Sequence, residues 1–241
     1  MVTLVASVVQ GTAGFGFTLL AVSFFLLIIR SADAIPLLII VNLAIALSLL
    51  RTLWQHVDRA LWSRLVIGSV LGFPLGLGAF RMADVNQLKI GAAGTILIFV
   101  TAAVIFRPDE SSASDSQPRF RTASAVGVGF LAGAMTTALG MPGPVLMLYL
   151  TAVGSGKDAV RAMSLTFFVV AYGASLVLQA TTVGLNRWVW VTAGLLVPVA
   201  VIGARLGHQL AKRVSERAFR AVVLVLIAAT GTYVLFSALL S

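Results

Sequence analysis

The sequence contains no cysteine, two histidines and eight acidic residues in 241 positions. The absence of cysteine excludes disulfide bonds, thiolate metal ligands and cysteine nucleophiles. Charged residues make up only 10% of the chain, against about 25% in ordinary soluble domains. Hydrophobic residues make up 59%, more than a water-soluble fold can bury. The composition therefore predicts an all-α polytopic membrane protein, because helices satisfy their own backbone hydrogen bonds in lipid.

The few acidic residues all lie in loops or at the ends of apolar segments. They are Asp33, Asp58, Asp84, Asp109, Glu110, Asp115, Asp158 and Glu216. His56 lies in a loop and His208 at the end of an apolar segment. The middle of the apolar segments therefore lacks a general acid, a general base and a set of metal ligands. This pattern disfavours an intramembrane enzyme, and we expect no catalytic residue, cofactor or metal site.

Six apolar segments have the length of ordinary membrane spans, about 20 residues each. They cover residues 32–53, 61–80, 88–106, 159–180, 188–206 and 218–240. Two other apolar stretches, 2–29 and 122–153, are longer, with 28 and 32 residues. As straight helices they would measure about 42 and 48 Å, against a hydrocarbon core about 30 Å thick.

Helix-breaking residues interrupt both long stretches in their middle. They are Gly11, Gly14 and Gly16 in the first stretch, and Gly140, Pro142, Gly143 and Pro144 in the second. Glycine leaves the backbone unrestricted and proline lacks an N–H group, so both residue types weaken a helix. We therefore expect two broken helices or re-entrant hairpins.

The chain divides near its midpoint at residues 107–121, RPDESSASDSQPRFR, whose composition is typical of a flexible linker. Residues 1–106 and 122–241 then form two transmembrane repeats of four elements, each starting with an interrupted stretch. Asp33 and Asp158 lie at the heads of equivalent spans, and a glycine pair at GxxxG spacing follows in each repeat. These pairs, which we assign to tight helix packing, are Gly72 with Gly76 and Gly203 with Gly207.

The distribution of basic residues favours hairpins, because Lys and Arg accumulate in short cytoplasmic loops. If both long stretches crossed the membrane, 7 of the 17 basic residues would lie on one side and 10 on the other. If both are hairpins, 4 lie on one side and 13 on the other. Each repeat then has three full spans, so the two repeats are inverted and the linker is cytoplasmic. The net charge of +9 is accordingly assigned to loops beside the lipid bilayer, with no nucleic acid partner.

The two interruptions form the candidate substrate site. A half-helix that begins near the membrane midplane directs free N–H groups and about half a positive charge into the break, which suits an anion. Thr18 lies beside the first break. Three polar residues lie near the middle of two spans: Asn42 in span 32–53, and Thr166 and Tyr172 in span 159–180. Each of them either faces the site or forms a hydrogen bond to another helix. The candidate substrate-binding residues are Gln10, Gly11, Thr12, Gly14, Phe15, Gly16, Asn42, Thr136, Thr137, Gly140, Met141, Pro142, Gly143 and Thr166.

The motifs QGTAGFGFTLLAVSFFLLI and ALGMPGPVLMLYLTAVGSGKDAVRAMSLTFF resemble those of the sulfite exporter TauE/SafE family, also called the 4-toluene sulfonate uptake permease family. The likeness covers nearly the whole chain. The resemblance implies a multi-pass secondary transporter of the bacterial inner membrane. Its expected substrates are small anions that contain sulfur, such as sulfite, sulfoacetate or other sulfonates.

The sequence as a whole predicts alternating-access transport of an anion held between the two breaks. A passive anion channel and a membrane subunit that anchors or regulates a soluble partner are the alternatives. No ATP-binding GxxxxGK[ST] motif occurs, so pumping by this chain must use a gradient or a partner. The coupling ion stays open between proton and sodium, and a homodimer is compatible with the sequence.

Overall fold

A computed structural model describes residues 1–29, 31–105 and 118–211 of the chain. Within these ranges the regular structure is helical, with no strand. The α-helices are α1 Val2–Ala13, α2 Phe17–Ile29, α3 Ala34–Leu53, α4 Arg59–Met82, α5 Val85–Ile105, α6 Pro118–Leu139, α7 Gly143–Ala152, α8 Lys157–Thr182 and α9 Arg187–Leu210. A 3-10 turn, Trp54–His56, follows α3. The prediction of an all-helical chain is confirmed for the described residues.

Four helices of the described ranges are long and apolar enough to cross a membrane. They are Ala34–His56, Arg59–Met82, Asp158–Thr182 and Arg187–Leu210. Each coincides with a predicted span. The helix α5 covers most of the predicted span 88–106, and the predicted span 218–240 lies outside the described residues, as does most of the predicted linker 107–121.

Both long apolar stretches are broken where the sequence predicted. The helix α1 ends before Gly14 (φ 85°), and α6 ends before Gly140 (φ 67°). These left-handed conformations favour glycine, because a side chain would clash with the backbone. The N–H of Gly14 donates to the carbonyl of Gln10 (2.7 Å), and the N–H of Gly140 donates to the carbonyl of Thr136 (2.8 Å). Both helices therefore end with the same type of glycine cap.

Tight pairing across the two halves of the chain organises the fold. The helix α1 packs along α9, and α6 packs along α4. A Cβ atom on Gly72 would overlap the carbonyl oxygen of Phe130, and one on Gly207 would overlap that of Val8. Only glycine permits this approach, so the assignment of the GxxxG pairs to packing is confirmed.

Hydrogen bonds at the helix ends define the relative directions of the long helices. Asn186 and Trp188, at the start of α9, donate to a carboxylate oxygen of Asp33 at the start of α3, over 2.6 and 3.2 Å. The guanidinium of Arg81, near the end of α4, donates to the carbonyl of Thr182 at the end of α8 (2.8 Å). The helix α3 therefore runs parallel to α9, and α4 runs parallel to α8.

The glycine contacts give the directions of α1 and α6 in the same way. Along α9, Gly203 approaches Leu4 and Gly207 approaches Val8, so α1 is parallel to α9. Along α4, Gly68 approaches Val126 and Gly76 approaches Ala134. The helix α6 is therefore parallel to α4.

The outer faces of α4 and α9 are apolar. Their exposed side chains include Ile67, Val70, Leu71 and Leu75 on α4, and Val191, Leu195, Val199 and Ile202 on α9. Exposed aliphatic surface on this scale is unfavourable in water and favourable against lipid chains. The fold is that of a multi-pass membrane protein.

Candidate functional site

The two helix breaks meet in the interior of the protein. A Cβ atom on Gly143, at the start of α7, would lie 3.3 Å from the Cβ of Phe15 in the first break. It would also lie 3.6 Å from the ring of Phe168 on α8. Residues that are more than 120 positions apart in the sequence are therefore in direct contact, and α8 passes beside both breaks.

A small cavity lies at this meeting point. Its lining residues are Gln10, Gly16, Thr18, Leu19, Met141, Gly143, Pro144, Phe168 and Tyr172. The free volume is about 10 Å³, which is about the space that one water molecule needs. A larger ligand would require the surrounding helices to move apart.

The first residues of two helices, one from each half of the chain, line or adjoin the cavity. The helix α2 begins at Phe17, directly after Gly16, and α7 begins at Gly143. The first N–H groups of a helix have no intrahelical acceptor, and the helix dipole places about half a positive charge there. The lining thus combines the positive ends of two helices, an arrangement that favours a negative charge.

Gln10 contributes a side-chain donor to the same cavity. It is 1% exposed, and its Oε1 accepts the N–H of Phe17 over 3.1 Å. This bond fixes the amide orientation, so Nε2 is the remaining donor, and Nε2 has no hydrogen-bond partner. A buried donor without an acceptor costs about 1–3 kcal/mol. An anionic oxygen in the cavity would satisfy it.

A chain of hydrogen bonds connects the two breaks through α3 and α8. Tyr172 donates its single hydroxyl proton to the carbonyl of Gly140 (3.2 Å), so Thr18 is the donor in their 3.4 Å contact. Asn42 in turn donates from Nδ2 to the hydroxyl oxygen of Thr18 (2.9 Å). The four groups form one directed chain that ends at the second break.

The sequence-predicted site residues divide into two groups. Gln10, Gly16, Met141 and Gly143 line the cavity. Gly140 and Asn42 join it through the hydrogen-bonded chain, and Phe15 packs on Gly143. The others do not line it: Gly11, Thr12, Gly14, Thr136, Thr137, Pro142 and Thr166.

Two of these other residues make bonds between helices, and a third makes a bond within its own helix. Thr12 donates to the carbonyl of Gly207 on α9 (3.1 Å). Thr137 pairs with Ser175 on α8 (3.1 Å). Thr166 donates to the carbonyl of Ala162 within its own helix (2.7 Å).

The site also includes residues that the sequence analysis did not nominate. Leu19, Pro144 and Phe168 line the cavity, and Arg161 is buried beside the first break, where it donates from Nη2 to the carbonyl of Gly11 (2.5 Å). The equivalent carbonyl of the second break, that of Thr137, accepts from Gln179 Nε2 (2.8 Å). No local sequence pattern marks these contacts, because they join helices that are distant in the chain.

Comparison with models of known protein families gives a match over most of the chain. The model of the family described as Sulfite exporter TauE/SafE matches residues 1–234, nearly the whole chain. No curated protein and no solved structure matches the chain.

Proposed function

Because the chain belongs to the sulfite exporter TauE/SafE family, we propose that it is a secondary active transporter of small sulfur-containing anions in the bacterial inner membrane. Sulfite, sulfoacetate and other sulfonates are the candidate substrates. The observation that carries the proposal is the convergence of Gln10 Nε2 with the N-termini of α2 and α7 on one buried cavity.

The chemistry of this cavity suits an oxyanion. Amide N–H groups and the Gln10 amide are neutral donors, which bind an anion without fixing it as tightly as a buried arginine would. A sulfonate or sulfite group presents three oxygens, so it can accept from Gln10 Nε2 and from first-turn N–H groups of both helices. Phe17, whose N–H bonds Gln10 Oε1, and Pro144, which has no N–H, are not among these donors. Phe168 and Leu19 provide apolar lining for the remainder of an organic sulfonate.

Helix directions support an inverted repeat. The helix α8 is antiparallel to α9, because a short turn joins them, while α3 is parallel to α9 and α4 is parallel to α8. Equivalent helices of the two halves, α3 with α8 and α4 with α9, therefore run in opposite directions. The equivalent helices α1 and α6 also run in opposite directions, because α1 is parallel to α9 and α6 is parallel to α4.

The positions of the two breaks along α8 agree with this arrangement. The last turn of α1 lies at Arg161, and the last turn of α6 lies at Gln179. These residues lie toward opposite ends of α8, and the two breaks meet between them, where Phe168 lies beside Gly143. Halves of opposite orientation that enclose one central site are typical of alternating-access transporters.

The proposed movement opens the cavity between two bodies, each of which combines both repeats. Glycine contacts bind α1 to α9 and α4 to α6 so closely that these pairs move together. Alternating access then takes place as α1–α9 rotates against α4–α6, with α3 in the first body and α8 in the second. The first body includes α2, and the second includes α7.

Counterflow in proteoliposomes tests the transport proposal. Purified protein is reconstituted with unlabelled sulfite or an alkanesulfonate inside, and uptake of the labelled anion is followed with acetate as the control. We expect saturable uptake that an internal load of the same anion accelerates. Flux that neither saturates nor responds to the internal load would identify a passive channel, and absence of flux for all the sulfur anions would refute the proposal.

A further inference from the structure

Arg161 joins three helices at the end of α1. The side chain is 5% exposed, and its Nη2 donates to the carbonyl of Gly11 and contacts Nδ1 of His208 on α9. A Cβ atom on Gly14 would lie 2.8 Å from the Cα of Arg161, so the first break rests directly on this residue. Arg161 belongs to α8, whereas Gly11 and His208 belong to α1 and α9.

This contact crosses the boundary between the two proposed bodies. Three polar contacts at the outer ends of the long helices stay within one body: Asp33 with α9, Arg81 with α8, and Gln179 with α6. Thr18 and Tyr172 also bond across the boundary, but they do so at the cavity itself. Arg161 is therefore placed to hold α8 against α1–α9 at one end of the cavity.

The contact with His208 depends on protonation. A guanidinium only donates hydrogen bonds, and an imidazole nitrogen accepts one only when it carries no proton. Nδ1 of His208 can therefore pair with Arg161 only in the neutral imidazole. A second proton on His208 would remove the acceptor and place two positive charges in contact. Histidine is the side chain whose charge ordinarily changes between about pH 5 and 8.

The charged groups around the pair are few in the described part of these helices. Asp158 lies one turn before Arg161 on α8 and attracts the guanidinium. Arg205 lies one turn before His208 on α9 and is exposed, and α1 contains no charged side chain. The 3-10 turn that ends at His56 also packs on α8, with His56 exposed. His208 is thus the titratable group of this set that contacts Arg161 directly.

We propose that His208 binds the coupling proton of the transporter and that Arg161 transmits this protonation to the first break. The inference depends on the proposed transport function. With His208 neutral, Arg161 holds α8 to α1 and α9, and the cavity is closed at this end. Protonation releases Arg161 from His208, so that α8 can separate from α1–α9 and the positive charge can accompany the anion. Proton and anion binding then favour each other, as linkage requires.

Substitution of the two histidines tests this inference, because the chain contains only His56 and His208. The probe is an alkanesulfonate, whose own charge is constant between about pH 5 and 8. Two activities are measured in proteoliposomes: counterflow at equal pH on both sides, and accumulation driven by a pH gradient. His208→Asn keeps an acceptor near the position of Nδ1 and cannot take up a proton.

Because His208→Asn keeps Arg161 bonded at every pH, we expect the variant to lose both counterflow and gradient-driven accumulation at least tenfold. The matched control, His56→Asn, should retain both activities. Accumulation by His208→Asn at the wild-type level would overturn the inference while leaving the transport function intact. Absence of counterflow in the wild-type protein would instead overturn the proposed function, and this inference with it.

A spectroscopic measurement covers the case in which His208→Asn does not fold. In the His56→Asn protein His208 is the only histidine, so the NMR signal of its imidazole can be titrated without ambiguity. We expect addition of the alkanesulfonate to shift the midpoint of this titration. A midpoint that is the same with and without the saturating anion would overturn the inference.

Discussion

Replacement of Gln10 by glutamate separates its two roles in the cavity. The carboxylate has nearly the same shape and can still accept the N–H of Phe17, as Oε1 of Gln10 does over 3.1 Å. It replaces the unpartnered Nε2 donor by a negatively charged oxygen. The helix structure around the first break should therefore persist, while the electrostatic environment of the cavity changes from favourable to unfavourable for an anion.

The expected size of the effect follows from Coulomb's law. Two like charges about 4 Å apart repel by about 4 kcal/mol at an effective dielectric constant of about 20. That energy corresponds to roughly 1,000-fold weaker anion binding. The Gln10→Met variant adds no charge and removes both amide groups, the Nε2 donor and the Oε1 acceptor of the Phe17 N–H. The lost charge-assisted hydrogen bond to the anion should weaken binding by about 1.5–3 kcal/mol, or roughly 10- to 100-fold.

The assay compares sulfonate Kd and counterflow KM for the wild type, Gln10→Met and Gln10→Glu. Gln87→Glu is the matched control, because Gln87 is exposed at the start of α5, away from the cavity. We expect affinity to fall in the order wild type, Gln10→Met, Gln10→Glu, with Gln87→Glu unchanged. A Gln10→Glu protein that binds the sulfonate as tightly as the wild type would refute the assignment of this cavity to anion binding.

Two glycine substitutions test the contact between the breaks and the pairing of the halves. Gly143→Val should lower counterflow at least tenfold, because even a Cβ atom at this position would lie 3.3 Å from Phe15. The control is Gly173→Val, since a Cβ atom at Gly173 would have no other atom within 4 Å. An equal loss of counterflow in both variants would contradict the contact between the breaks. Gly72→Val should lower the free energy of unfolding by more than about 3 kcal/mol, because its Cβ overlaps the carbonyl of Phe130 on α6. The control is Gly78→Val on the same helix, because a Cβ atom at Gly78 would meet open space. If chemical denaturation showed Gly78→Val to be destabilised as much as Gly72→Val, the result would contradict the α4–α6 pairing.

The positions of the helices and of their interruptions follow from local sequence. Four predicted spans coincide with long helices, because about 20 apolar residues in lipid have few alternatives to a helix. The breaks at Gly14 and Gly140 were equally predictable, because the left-handed backbone at a helix end is a local property that favours glycine. Family membership followed from the same interrupted segments, which the family match over residues 1–234 bears out.

The tertiary structure decided which side of each helix faces the cavity. Thr12 and Gln10 lie two positions apart, yet Thr12 bonds α9 and Gln10 lines the cavity. Arg161, near the end of a span, would be expected to extend to the lipid headgroups, but it is buried between α1, α8 and α9. These orientations depend on contacts between helices up to about 195 positions apart, where glycine permits close packing. Local sequence specifies where a helix begins and ends, but packing against a distant partner specifies what each of its faces meets.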